Sequence, residues 1–313
     1  MCGIAGYLGK FNKAFLENAN NVQRHRGPDD CGLWFDENSG VGLAHRRLSI
    51  IDVSNNGHQP MTDRDNSSTI IFNGEIYNYR ELKENLQQKG HHFKSSSDTE
   101  VLLYLYKEYK EKMLEKLNGI FAFAIWDKVE RELLICRDGM GVKPLYYVDG
   151  DRGFLFASEI KALLFDNYIE RQIDSKALHG YLSFLWTPAP RTMLKGVKKL
   201  EPGHALIVKE NRIKRKWRFY DLPYGRNLLQ GDEEEISREL AENISKAVER
   251  QLVSDVPVGA FLSGGLDSSA IVAFAIKKYN KGDLNCFTIG LNKSDAASDG
   301  FVEDFPYAQK VAD

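Results

Sequence analysis

The chain has no apolar run near the ~20 residues a membrane-spanning helix needs. It also lacks the charged-then-apolar opening of a secretory signal, since glycines and an early Lys10 follow Cys2. No membrane partner is expected. Cysteine is scarce: Cys2, Cys31, Cys136 and Cys286 are the four, with no C-x-x-C pair. Neither a disulfide framework nor a cysteine zinc site is expected, and a cytoplasmic location fits. There is no H-E-x-x-H among the seven histidines, and His91-His92 reads as a solvated pair. Neither sign of charge dominates, with 42 basic against 44 acidic residues and a net charge of -2. No global field therefore recruits nucleic acid. The phosphate motifs G-x-x-x-x-G-K-[ST] and G-x-G-x-x-G are missing too, which disfavours a kinase, GTPase or dehydrogenase. What remains is a globular composition, 42% hydrophobic in 313 residues, long enough for two domains with real cores.

The first feature present is Cys2. If Met1 is removed, this residue carries both a thiol and the α-amine, a nucleophile with its own base. The amine titrates near ~7.7 to 8 and a free thiol near ~8.5, so a small push moves the proton between them. Taken alone, a cysteine here is more often ordinary. Arg24-His25-Arg26-Gly27-Pro28-Asp29-Asp30 forms a charged loop, either a solvated turn or a frame behind a site. Residues 41–51 read as a strand with Arg47 on the face opposite Leu48 and Ile50, its fork suited to a carboxylate. Asn73-Gly74 lies between apolar runs, the signature of a hairpin turn. The same pair could instead form an oxyanion hole. Ser97 and Glu100 form a capping box, which leaves Asp98 for a substrate ammonium or for the helix start.

Helices over 13–23, 77–89, 97–109 and 159–165, a further short one ending at Gly119, and strands over 121–126, 133–137, 144–148 and 154–157 make this half α+β. The basic run 209–218 reads as a hairpin turning at Glu210-Asn211 and not as a nucleic-acid patch.

From residue 232 the pattern changes. An acidic start opens a helix with Ile236, Leu240, Ile244, Val248 and Leu252 on one stripe. Residues 257–262 read as a buried strand, followed by Ser263-Gly264-Gly265-Leu266-Asp267-Ser268-Ser269, an apolar helix over 270–279 and a second strand over 285–291. Strand, glycine turn and helix start gather N–H groups and hydroxyls for an anion. A glycine turn feeding a capped helix is the plainer alternative.

Cys2-Gly3-Ile4, Arg24 to Asp29, His45-Arg46-Arg47-Leu48-Ser49-Ile50, Phe72 to Asn78 and Ser97-Asp98-Thr99-Glu100 together resemble class II glutamine amidotransferase domains. Ser263-Gly264-Gly265-Leu266-Asp267-Ser268 resembles the pyrophosphate loop of ATP pyrophosphatases. Both in this order resemble the glutamine-hydrolysing asparagine synthetases. The resemblance implies an α+β four-layer αββα sandwich of N-terminal-nucleophile type over residues 1–210, a linker over 211–231, and the start of an α/β parallel-sheet nucleotide-binding domain over 232–313. It implies that Cys2 attacks the glutamine amide, that Asn73 and Gly74 hold the oxyanion, and that Arg47, Leu48, Ser49, Ile50, Ile51, Glu75 and Asp98 bind glutamine. It implies ATP at Leu262, Ser263, Gly264, Gly265, Asp267, Ser268, Ser269 and Ile289, with Mg²⁺ at Asp267. Ammonia from the first site would meet an aspartyl-adenylate at the second, giving asparagine, glutamate, AMP and pyrophosphate. A homodimer is the assembly it suggests. The family's later acidic motif is missing, so a truncated chain is expected, its glutaminase half complete and its synthetase half not. The alternatives are a related amidotransferase acting on another carboxylate, and a non-catalytic module keeping the fold.

Overall fold

The computed structural model describes residues 1–225, 230–279, 284–290 and 304–313. They fall into two compact units, Met1–Leu222 and Pro223–Asp313.

The first unit is built on two six-stranded sheets, antiparallel at every pairing. One contains β1 (Gly3–Gly9), β2 (Asp30–Asp36), β3 (Val41–Arg47), β8 (Tyr146–Gly150), β9 (Gly153–Ala157) and β10 (Lys198–Lys199), in the order β10-β8-β9-β1-β3-β2. The other contains β4 (Met61–Thr62), β5 (Ser68–Ile76), β6 (Gly119–Asp127), β7 (Glu132–Arg137), β11 (His204–Lys209) and β12 (Arg212–Arg218), in the order β12-β11-β7-β6-β5-β4. Alternation along each strand divides its side chains between two cores. Ile4, Leu8, Leu43, Phe154 and Phe156 meet Ile71, Ala124, Trp126 and Ile135 between the sheets. Ala5, Tyr7, Leu155 and Ala157 face the other way and pack on Leu16 and Ala19 of α1 (Lys13–Asn21) and on Ala162 and Leu163 of α4 (Ile160–Leu163). The outer side of the second sheet carries α3 (Asp98–Tyr109), backed by α2 (Tyr79–Gln88). The result is the four-layer αββα sandwich; a helix α5 (Ser175–Phe184) follows α4.

Four local expectations change. Asn73-Gly74 is no turn, because β5 runs straight through it, paired with β6 from Ser68↔Asp127 to Ile76↔Gly119. Burial on both faces overrides the local hairpin signal. The strand starting at Val41 ends at Arg47, and the chain then leaves the sheet towards Asp52, whose φ is +53°. Gly119 opens β6 after a 3-10 helix over Lys110–Lys116. The expected domain end at 210 falls inside the β11–β12 hairpin, so the first unit continues to Leu222.

The second unit contains α6 (Glu233–Gln251), β13 (Gly259–Phe261), α7 (Leu266–Lys278), β14 (Asn285–Phe287) and α8 (Phe305–Ala312). Strands β13 and β14 pair in parallel around α7, the spacing of a βαβ unit. Its buried apolar cluster is Leu262, Val272 and Ala308. The strand expected to be buried over 257–262 is not: Phe261 is 81% exposed, because β13 has a single neighbouring strand among the described residues. No residue of α6 is buried either. Leu291, the expected end of the second strand, and linker residues 226–229 lie outside the described residues.

Candidate active site

Cys2 stands where β1 begins. Its Sγ accepts from the Leu48 N–H at 3.4 Å and faces the Leu48 carbonyl at 3.6 Å, so the segment leaving β3 forms one wall of the site. The Cys2 carbonyl accepts from Arg26 Nε at 2.9 Å, and Arg26 is held in turn by Glu159 at 3.1 Å. Asp29 accepts from the Ser49 N–H at 2.8 Å. The 24–30 loop is therefore a frame behind the site and not a solvated turn. Burial pushes the Cys2 thiol up and the amino group of Met1 down.

Asn73 is fully buried, and neither Nδ2 nor Oδ1 of its amide has a hydrogen-bond partner among the described residues. A buried amide is normally satisfied, so an orphan needs an explanation. Gly74 follows on the cavity wall, where a Cβ would lie 2.3 Å from the Ile120 carbonyl oxygen. Only glycine lets β5 and β6 close there. Glu75 lines the same cavity.

Arg47 is buried, and its guanidinium donates to the carbonyls of Ser54 (2.9 Å), Ile51 (3.3 Å) and Asp52. These bonds fix its plane against the 55–57 turn. Ile50 and Ile51 complete the wall, and Ser49 is tied back to Asp29. Asp98 is not as unengaged as the capping box suggested: its carboxylate accepts from the Ile76 N–H at 3.0 Å, and burial pushes it up to about 6. The box is itself only half formed. Ser97 caps Thr99 N, but Glu100 accepts from the N–H groups of Lys94 and Ser95 instead. The cavity lined by Cys2, Arg47, Gly74, Glu75 and Asp98 measures about 20 Å³, room for about one water.

In the second unit, Gly265 precedes α7 with no side chain capping the helix, so its first N–H groups keep their donor capacity. Ser263 and Ser268 hydroxyls are 3.0 Å apart, and Ser269 Oγ is buried without a partner. Gly264 has φ +75°. Asp267 lies in the first turn of α7. Leu262 is buried in the small core, whereas Ile289 is 81% exposed. No group of three His, Cys, Asp or Glu among the described residues could hold a metal ion alone.

Residues 1–220 match the glutamine amidotransferase domain family. The chain belongs to that family. Beyond this domain the chain matches asparagine synthase over residues 239–313. It is 42% identical over 301 residues to asparagine synthetase [glutamine-hydrolyzing] 1 of Bacillus subtilis, covering 94% of this chain and 46% of that protein. It is 38% identical to asparagine synthetase 3 of the same organism, covering 100% of this chain and 52% of that protein. The chain thus spans about half the length of these relatives. Among solved structures, the glutamine phosphoribosylpyrophosphate amidotransferase from B. subtilis aligns over 97% of this chain and 71% of its own, with a TM-score of 0.52 at 17% identity. That likeness shows the fold.

Two residues in or near this cavity belong to none of the motifs singled out in the sequence. Gln59 is buried on the cavity wall, donating to Thr99 Oγ1 at 3.2 Å and accepting from the Phe72 N–H at 2.7 Å. Lys143 is buried close enough to Cys2 and Glu75 for their charges to interact. Neither stands in a run with the other site residues, so spacing gave no signal for them.

Proposed function

We propose that Cys2, freed of Met1, hydrolyses the side-chain amide of glutamine. The observation that supports this reading is the buried, unpartnered amide of Asn73, donor capacity without an acceptor, next to Gly74 on the wall of the cavity that Cys2 lines. Arg47 takes the glutamine carboxylate, and Asp98 with Glu75 takes its ammonium. The thiol proton passes to the α-amine as Sγ bonds to the amide carbon. Asn73 Nδ2 and the Gly74 N–H stabilise the oxygen that becomes negative. Collapse expels ammonia, which takes that proton, and water then cleaves the thioester to glutamate.

The ammonia serves asparagine synthesis in the cytoplasm, with aspartate as acceptor, a reading supported by the relatives' names and the asparagine synthase match. Ser263 to Ser269 suit a polyphosphate: the uncapped start of α7 and the unpartnered Ser269 hydroxyl are donors without an acceptor. Mg²⁺ usually binds such sites through phosphate oxygens and one or two carboxylates, and Asp267 is the carboxylate at hand. ATP bound there would supply activation of the acceptor carboxylate.

Ammonia release from glutamine by the processed chain, compared with Cys2→Ala, tests the first step. Release that persists in Cys2→Ala ends this reading. AMP and pyrophosphate formation from ATP, with and without aspartate, tests the second.

A further inference from the structure

Asp52 joins two walls of the cavity that Cys2 lines. It is buried and takes φ +53°, a left-handed backbone that a residue other than glycine adopts at a cost. Three sets of bonds hold it there. Its carbonyl accepts from Arg47 Nη2, beside the Ser54 and Ile51 carbonyls that take the rest of the guanidinium. One carboxylate oxygen, Oδ1, accepts from the Ser54 N–H at 3.2 Å and from the Ser54 hydroxyl at 2.5 Å. The other, Oδ2, accepts from the Ser96 N–H at 2.7 Å.

These partners belong to two different arms of the site. Arg47 and Ile51, the neighbour of Asp52, line the cavity from the segment that leaves β3. Ser97 and Asp98, next to Ser96, line it from the start of α3. The first arm offers a cation and the second an anion. The Asp52 side chain bonds one arm to the other, while its own backbone holds the cation in place. Farther along, Gln59 Nε2 donates to Thr99 Oγ1 at 3.2 Å, so the two segments keep a tie when Asp52 is changed. L-Glutamine carries its carboxylate and its ammonium on one carbon, so their spacing is fixed. A site that grips both charges must hold a matching spacing.

We propose that Asp52 is a positioning residue that sets this spacing: its carbonyl aims Arg47, and its carboxylate fixes the segment of Arg47 against that of Asp98, so that the site selects an amide bearing both charges over amides bearing one. This rests on the reading of Cys2, Arg47 and Asp98 as a glutamine site. Asp52 itself touches no substrate and moves no proton.

The test is ammonia release from L-glutamine by the processed chain, with two competitors. One is 4-carbamoylbutanoate, which lacks the ammonium; the other is 4-aminobutanamide, which lacks the carboxylate. Asp52→Asn keeps the shape and tolerates the left-handed backbone. Its NH2 must nevertheless face either the Ser54 or the Ser96 N–H, a donor against a donor. Asp52→Gly keeps the backbone freedom and removes the carboxylate outright. Both variants should raise KM for L-glutamine by about tenfold or more, with kcat within about twofold of the parent. The inhibition constant of each one-charge competitor should stay within about twofold, so preference for L-glutamine falls about tenfold. A folded variant with the parent KM overturns the proposal. So does an equal loss for all three amides, because Asp52 would then serve the fold alone, and so does failure of both variants to fold. Arg47→Gln, run in parallel, should weaken L-glutamine and 4-carbamoylbutanoate but not 4-aminobutanamide. If it weakens none of them, or if neither competitor inhibits the parent, the glutamine-site reading is what fails, and the role of Asp52 falls with it.

Discussion

At Asn73 the demands of folding and of chemistry separate. An unsatisfied buried polar group costs about 1–3 kcal/mol, whereas an apolar group of the same shape is nearly neutral. Asn73→Leu is therefore expected to unfold at the same or higher urea concentration as the parent. Its ammonia release should fall by about 10²- to 10³-fold, as for loss of one oxyanion donor. At Gly57 a Cβ would lie 1.9 Å from Arg47 Nη2 and 2.8 Å from the Asp52 carbonyl oxygen, so both the guanidinium and the carbonyl that holds it must shift. Gly57→Ala should displace the guanidinium and raise KM for glutamine by about tenfold, with a smaller change in kcat. Asp98 carries a sign that can be checked. Its folded value of about 6 lies above the usual carboxylate value, so the folded chain holds a proton that the unfolded chain releases. The stability this gives is present below ~3.8 and is lost as pH rises through about 6, a swing of about 3 kcal/mol. Asp98→Asn should gain stability over the parent by about that amount between pH 4 and pH 8 in urea titrations. Cys2, Arg47, Gly74, Glu75 and Asp98 could be named in advance because their types fit a role and the structure brings them to one cavity. Gln59 could not, since only the tertiary approach of β5 and α3 gives it one.

Elements were most legible where a single face decides them. The hairpin at Glu210-Asn211 was readable from charge alternation, and both residues take positive φ, 53° and 64°. That is the backbone of a two-residue hairpin turn, for which Asn-Gly is the preferred pair. Glu210→Asn with Asn211→Gly should raise stability by about 0.5–1 kcal/mol, seen as a higher Tm. The exposed Lys214–Glu210 pair lost in the exchange contributes little. At the centre of β5 the local signal and the fold disagree. Its local dipeptide favours a turn, but Ile71 and Phe72 are both buried, on either side of the strand, and a turn would expose one of them. The capping box failed because the 94–95 segment supplies N–H donors that Glu100 can also reach.

At the scale of the molecule, a well-packed amidotransferase sandwich is followed by a unit whose apolar side chains are largely exposed, Leu240, Phe261 and Ile276 among them. Periodicity located α6 and α7 but could not say what covers them. Within the sandwich, His45 joins the sheets: its Nε2 meets the Phe72 carbonyl at 3.0 Å, its Nδ1 has no partner, and burial holds it down to about 3. The folded chain thus refuses a proton that the unfolded chain takes up below ~6.5. In this range protons act as a ligand of the unfolded chain, and stability falls with decreasing pH by roughly 1.4 kcal/mol per unit, down to about 3. Between pH 6 and 4 Asp98 pulls in the opposite direction and hides most of that slope. The parent should resist mild acid and give way steeply below pH 4, whereas Asp98→Asn should lose stability steadily from pH 6. One ring between two sheets and one carboxylate beside the cavity thereby act as opposed proton sites within a single sandwich, each masking the other in mild acid.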